Sequence, residues 1–306
     1  MVRLGRRTWR WAFLSVAITL VAAACGGGDD ARSGAQAPSA TTAGQPTSPT
    51  IKLGESGTRD VTATVSGRTL VGRCVGRRTK EPTVVLEVGG GAPRQALELI
   101  ENHFGSLTMV CAYDRAGKGQ STPASRLRPI TEAVSDLHAF LTAVGDQRYF
   151  VVGQSLGAAI AFMYAQAHPD KVVGFVAINP DPPYRTWLKK AQSLHDDLGL
   201  AAEEPFYRGE GDNPEGIDNR ANESMLTDPL PADMPYVVMF ADECGGNVTF
   251  CRRMRPLNAE ISRQLAEVGQ GGRFIWVKDG GHDLQFTNPD LVLKHIEQTW
   301  KDANRR

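Results

Sequence analysis

Apolar residues along this chain cluster in short runs set off by polar, glycine-rich stretches, and their spacing alternates between strand and helix periods. Thr83–Val88 (TVVLEV), Thr108–Tyr113 (TMVCAY), Tyr149–Val152, Val172–Ile178 (VVGFVAI), Tyr236–Phe240 (YVVMF) and Arg273–Val277 (RFIWV) read as strands, most of them continuous enough to be buried on both faces. Ahead of them, Val61–Val65 and Thr69–Val75 predict a β-hairpin turning at Ser66-Gly67. Helical spacing covers Ile130–Val144, Leu156–Ala165, Leu257–Val268 and Pro289–Trp300, with another helix running through about His103. Asp181–Met234 is polar and shows no clear strand. Strands alternating with helices imply a single α/β domain, in which a mostly parallel central sheet carries helices on both faces.

The densest signal is Tyr149–Ala165 (YFVVGQSLGAAIAFMYA), where a strand pattern and a small-residue helix pattern flank Gly153-Gln154-Ser155-Leu156-Gly157. A sharp strand-to-helix turn would hold Ser155 in a strained conformation with its Oγ exposed, and the glycines would relieve the crowding. The helix start leaves the Leu156 N–H free to face a developing oxyanion. Gly-x-Ser-x-Gly also fits a plain structural turn; the flanking elements favour a nucleophile. Of the six histidines, His282 follows the last predicted strand, where a loop can return it over Ser155 as the base. His103, His138 and His295 sit in predicted helices, His168 at a helix end, and His195 in the polar segment.

Composition refines this picture. The chain has 306 residues, of which 41% are hydrophobic, enough for one sizeable core. Lys+Arg and Asp+Glu both number 34, so no net field recruits nucleic acid, and a small neutral or weakly polar substrate fits better. Arg3, Arg6, Arg7 and Arg10 precede Trp11–Ala24, an apolar run too short for a comfortable membrane span, so residues 1–24 read as a signal peptide. Ala22-Ala23-Ala24-Cys25 resembles a bacterial lipoprotein signal, with Ala22 standing where a leucine is usual. That resemblance implies export, a lipidated Cys25 and a membrane anchor; plain secretion is the alternative. Residues 25–50 are too poor in large apolar side chains to order themselves and form a flexible tether to a domain over 51–306. Cys74, Cys111, Cys244 and Cys251 then remain, an even number in an exported chain, which predicts two disulfides. Four cysteines allow three pairings; Cys244 and Cys251 are close enough to close a small loop, which leaves Cys74 with Cys111. No CxxC spacing supports a metal site, no full nucleotide motif accompanies the glycine loops, and no cofactor is expected.

TVVLEVGGGAP, VCAYDRAGKGQS, VVGQSLGAA, HPDKVVGFVAINP and DGGHDLQFTNPDLV, in this order over roughly Val61 to Trp300, resemble the α/β-hydrolase superfamily. The resemblance implies the α/β-hydrolase fold, a cap over the site at about 181–234, and neighbouring strands carrying Cys74 and Cys111. It implies His282 as general base and an oxyanion hole made by the Leu156 N–H and the Gly90 N–H, with Gly91 as fallback. It places the triad acid after Tyr236–Phe240, where Asp242 ranks first and Glu243 second; Cys244 occupies the commoner position of the carboxylate. Some relatives take the acid from the preceding strand end, which makes Asp181 the third candidate. Asp114 of AYDRAG is expected to brace its own loop. The function so implied is an exported serine hydrolase that cleaves a small-molecule ester or amide through an acyl-enzyme on Ser155. A peptidase on the same fold and a catalytically silent binding protein are the alternatives, and an intact Ser155 and His282 argue against silence.

Overall fold

A computed structural model describes residues 56–194, 215–243 and 248–305. The expected signal peptide, Cys25 and the tether lie outside the described residues, as do Cys244 and part of the expected cap. The hairpin forms as β1 (Ser56–Val65) and β2 (Arg68–Arg77), paired antiparallel from Val65↔Arg68 outward. Its turn residues Ser66 and Gly67 take φ of 49° and 75°, the left-handed pair that a two-residue hairpin loop needs.

Six more strands follow: β3 (Thr83–Glu87), β4 (Met109–Asp114), β5 (Tyr149–Gln154), β6 (Val172–Ile178), β7 (Tyr236–Ala241) and β8 (Gly272–Val277). They join the hairpin in one sheet, ordered β1-β2-β4-β3-β5-β6-β7-β8. β1 and β2 pair antiparallel, as do β2 and β4; every pair from β4 through β8 is parallel. Every residue of β3, β4, β5 and β7 is buried, which is why their sequences are continuous apolar runs without alternation.

Two cores sandwich this sheet. Val85, Val151, Ala177 and Val238 face α2 (Ile130–Val144) and α3 (Leu156–Ala167). Their strand neighbours Val84, Val152, Val176 and Val237 face α1 (Glu98–Gly105) and α6 (Pro289–Asn304), through Ile100, Phe104, Ile296 and Trp300. The expected arrangement of helices on both faces is therefore present. In α2 the apolar residues Ile130, Ala133, Val134, Leu137 and Leu141 recur at helical spacing, and Gly145 ends the helix with φ of 83°. In α3 every residue from Leu156 to Ala165 is buried, so the helix shows no polar face.

Cys74 and Cys111 stand opposite each other in the β2–β4 register, with Cα atoms 4.0 Å apart, and are disulfide-bonded. Cys251 is also disulfide-bonded; Cys244, its expected partner, is not among the described residues.

Two expectations need correction. The helix read as Leu257–Val268 is α5 (Val248–Ala266), which begins nine residues earlier and carries Pro256 inside it. A proline inside a helix costs a backbone hydrogen bond, but here Met254 on one side of it and Leu257 and Ile261 on the other pack into one cluster. The segment between β6 and β7 likewise holds α4 (Tyr184–Leu194), whose Trp187 and Ala191 pack on α5. It also holds a two-residue strand, Ile217–Asp218, paired with Arg128–Pro129.

Candidate active site

The chain leaves β5 and enters α3 through a single residue, Ser155, at φ 53° and ψ −122°. This conformation is rare outside glycine and is held by the structure around it. A Cβ on Gly153 would lie 2.4 Å from the Gly157 carbonyl oxygen, and one on Gly157 would lie 2.3 Å from the carbonyl oxygens of both Glu87 and Val88. The obstructing atoms are backbone, so only glycine at both positions lets the turn close and lets α3 approach the end of β3. The Ser155 N–H donates to the Ile178 carbonyl at 2.9 Å, which ties the turn to β6. Among the described residues no acceptor takes the N–H of Leu156 or of Gly90. The two residues are neighbours, since a Cβ on Gly90 would stand 3.5 Å from Leu156 Cδ2. The fallback donor Gly91 is committed elsewhere: its N–H donates to Glu215 Oε1 at 2.7 Å.

His282 shares one pocket with Ser155 and Gly89–Gly91. Gln154 helps to place it, donating from Nε2 to Asp283 Oδ1 at 3.2 Å and so linking the serine turn to the histidine loop. The ring Nδ1 lies 2.6 Å from Asn179 Nδ2. Asn179 Oδ1 accepts the Ala241 N–H at 3.1 Å, so the amide nitrogen, a donor, faces the ring, which receives it with its own proton on Nε2.

The three candidate acids separate clearly. Asp242, expected first, does not meet His282: its oxygens accept from Trp276 Nε1 at 2.9 Å and from the Asp279 N–H at 2.6 Å, which brace the β7 and β8 ends. Glu243 is exposed; its N–H donates to the Gly280 carbonyl at 2.9 Å and its carboxylate stands beside Gly281. Asp181 reaches the nucleophile. Its Oδ1 accepts from Ser155 Oγ at 3.1 Å, its Oδ2 accepts from Asn219 Nδ2 at 2.8 Å, and its N–H donates to the Ser155 carbonyl at 3.3 Å. Burial pushes the Asp181 carboxyl above the usual carboxylate range, against the pull of His282 and of the Ser155 hydrogen bond.

Under the glycine loop lies a buried ionic cluster that composition and spacing do not announce. Arg115, from AYDRAG, donates from Nε to Glu215 Oε2 at 2.6 Å and from Nη1 to Glu87 Oε2 at 3.0 Å, and all three side chains are 1% exposed. Burial alone would lower the Arg115 pKa, but Glu215 and Glu87 outweigh it and hold it above its ordinary value. Burial would raise Glu215; Arg115 reverses that and keeps it below the usual range. Glu87 stays raised by its burial, which Arg115 only partly offsets. Removing one member of such a buried group costs about 3–5 kcal/mol. Asp114, in the same motif, packs its carboxylate where a Cβ on Gly119 would come within 2.1 Å of Oδ2, so the loop closes over it.

The family model for the alpha/beta hydrolase fold matches residues 108–209. A proline iminopeptidase from Xylella fastidiosa (strain 9a5c) is 31% identical over 98 residues, 31% of this chain and 31% of that protein. An uncharacterized hydrolase from Bacillus subtilis (strain 168) is 26% identical over 126 residues, 40% of this chain and 46% of that protein. The chain thus matches less than half the length of either curated relative. Among solved structures, the enol-lactonase from Burkholderia xenovorans LB400 superposes with a TM-score of 0.57 at 18% identity, covering 78% of this chain and 99% of that one.

Proposed function

The chain has the α/β-hydrolase fold, and from that premise we propose that it is a serine hydrolase acting on a small-molecule ester or amide. The observation that carries the reading is the strained Ser155 at the head of a buried helix, sharing a pocket with His282 and Gly90, while the N–H groups of Gly90 and of Leu156, the next residue along the chain, have no acceptor among the described residues. Ser155 Oγ attacks the carbonyl carbon, the carbonyl oxygen takes negative charge against the Gly90 and Leu156 N–H groups, and the hydroxyl proton passes to His282 Nε2. His282 accepts there in the tautomer that carries its own proton on Nδ1. Asp181 supplies the negative charge that favours the imidazolium. His282 then protonates the leaving group, and water releases the acyl-enzyme by the same steps in reverse. Within the expected cap, residues 181–194 and 215–234 are described, and from them Asp181 and Asn219 stand at the serine.

A fluorophosphonate probe on the purified protein, followed by p-nitrophenyl esters of graded chain length, tests this directly. We expect covalent labelling at Ser155 and turnover of at least one ester; a protein that neither labels nor hydrolyses refutes the reading. The proline iminopeptidase similarity favours a peptidase as second reading. Aminoacyl p-nitroanilides separate the two, because a peptidase turns them over in preference to esters.

The same proposal places the enzyme at the cell envelope, exported and anchored through a lipidated Cys25, with no nucleic-acid partner. Mass spectrometry of the native N-terminus is expected to show a lipid-bearing Cys25, and an unmodified terminus at another residue overturns the anchor.

A further inference from the structure

We infer that Arg115 and Glu215 are positioning residues that aim the Gly90 N–H into the oxyanion hole; this rests on the serine hydrolase reading above. A trans peptide unit is planar, with its C=O and N–H antiparallel, so fixing the oxygen fixes where the hydrogen points. Among the described residues there are no cis peptide bonds. The unit that carries the Gly90 N–H has Gly89 O as its oxygen; Arg115 Nη2 donates to that oxygen at 2.7 Å, and the Ala92 N–H of the loop's own turn adds a longer bond at 3.2 Å. The same guanidinium holds the preceding unit by donating from Nη1 to Val88 O at 2.5 Å. On the far side of Gly90, Glu215 Oε1 takes the Gly91 N–H at 2.7 Å while also accepting from Arg115 Nη2 at 3.0 Å.

Gly90 is therefore bracketed, with both preceding carbonyls drawn toward a buried cation and the following N–H toward a buried anion. These bonds take up Gly89 O and Gly91 N–H and leave the Gly90 N–H turned away from Gly89 O, in a residue that borders the Leu156 side chain. Glycines have little conformational preference of their own, so a three-glycine loop needs such an outside reference to hold one orientation. The planar guanidinium supplies it because it can grip two carbonyls and a carboxylate at once, which an ammonium cannot do with fixed geometry. Glu215 belongs to the segment between β6 and β7, and its neighbour Gly216 accepts the Arg128 N–H at 2.8 Å, so the clamp also ties that segment to the oxyanion loop.

The test compares the full-length protein with Arg115→Lys and Glu215→Gln, which keep volume and polarity. For each we would measure kcat and KM on one good p-nitrophenyl ester, inhibition by a boronic acid whose tetrahedral Ser155 adduct fills the hole, and the thermal melt. Misaimed donors should lower kcat about 10²- to 10³-fold in Arg115→Lys, the range seen when an oxyanion donor is lost, with KM within about three-fold. Boronate affinity should fall with kcat. In Glu215→Gln, where the Gly91 N–H keeps an acceptor, both effects should be smaller and in the same direction. A purely structural role would lower the melt without this split between kcat and KM. If Arg115→Lys is unfolded, Glu215→Gln alone decides. Wild-type kcat and boronate affinity in a folded variant overturn the inference and leave the hydrolase reading standing. A wild-type protein that turns over no ester overturns both.

Discussion

Ser155→Ala is expected to abolish ester turnover, lowering kcat by about six orders of magnitude, while leaving the melt within about 1 kcal/mol of wild type. The loss is total because nothing else in the pocket can form the acyl bond: His282 faces Asn179, Asp181 is bonded to the serine itself, and Asp283 is bonded to Gln154. Stability is spared because the strain at φ 53° belongs to the backbone, which alanine shares, and because glycines 153 and 157 keep the turn closed. The one bond lost is that from Ser155 Oγ to Asp181, whose Oδ2 keeps Asn219. Steady-state kinetics with a fluorophosphonate titration of active enzyme measures the effect. Activity in the variant within a hundred-fold of wild type would remove Ser155 from the mechanism, and a comparable result for His282→Ala would remove the base.

Asp181→Asn should lower kcat about a thousand-fold or more, the scale set by amide substitution of a triad acid, with little change in KM. The amide keeps an oxygen for the Ser155 hydroxyl, and its NH2 is accepted by Asn219 once that amide turns inward its Oδ1, partnerless among the described residues, so the resting geometry survives. What it loses is the charge that favours the imidazolium as the serine proton moves, a charge through which the half-buried Asp181 acts on His282 across the site. Asp242→Asn should stay within about ten-fold of wild type, under roughly 1.4 kcal/mol of transition-state stabilisation, because Asp242 serves Trp276 and Asp279 and not the ring. Assayed together on one ester, the two variants discriminate sharply. If Asp242→Asn collapses and Asp181→Asn does not, the assignment of the carboxylate is reversed.

The sequence puts Asp242 first whereas the structure bonds Asp181 to Ser155, and the difference follows from what each carboxylate depends on. The serine turn is local: a strand, two glycines and a helix within a dozen residues specify it, and the same holds for the hairpin at Ser66-Gly67 and for the buried strands. Asp181 and Asp242 both follow a strand end, and which of them points inward depends on contacts distant in the chain. Asp181 meets Asn219, and Asp242 meets Trp276. Asn179 gave no distinctive signal, since asparagine is common where a strand ends in a left-handed residue, here at φ 47°. Arg115 was visible inside a recognised motif, but its role waits on Glu215, 100 residues further on. The missed helix α4 carries Tyr184, Trp187, Leu188 and Ala191 at helical spacing, but they stand in an otherwise polar stretch, so the segment as a whole reads as polar. Pro256 hid the first turns of α5 because a proline inside a helix is uncommon enough to be read as its boundary.

The approach of Gly157 to the end of β3 bears on any attempt to engineer this protein. A designer seeking a more robust scaffold would single out that glycine, because alanine in a helix gains about 1 kcal/mol of propensity over it. The added methyl would meet the carbonyl oxygens of Glu87 and Val88, and of these Val88 O is also gripped by Arg115. No rotamer change can make room, since the atoms in the way are main chain. Helix and loop would have to part, drawing Leu156 away from Gly90. Gains in thermal tolerance for this chain are better sought on the outer faces of α2 and α6, well away from the serine turn.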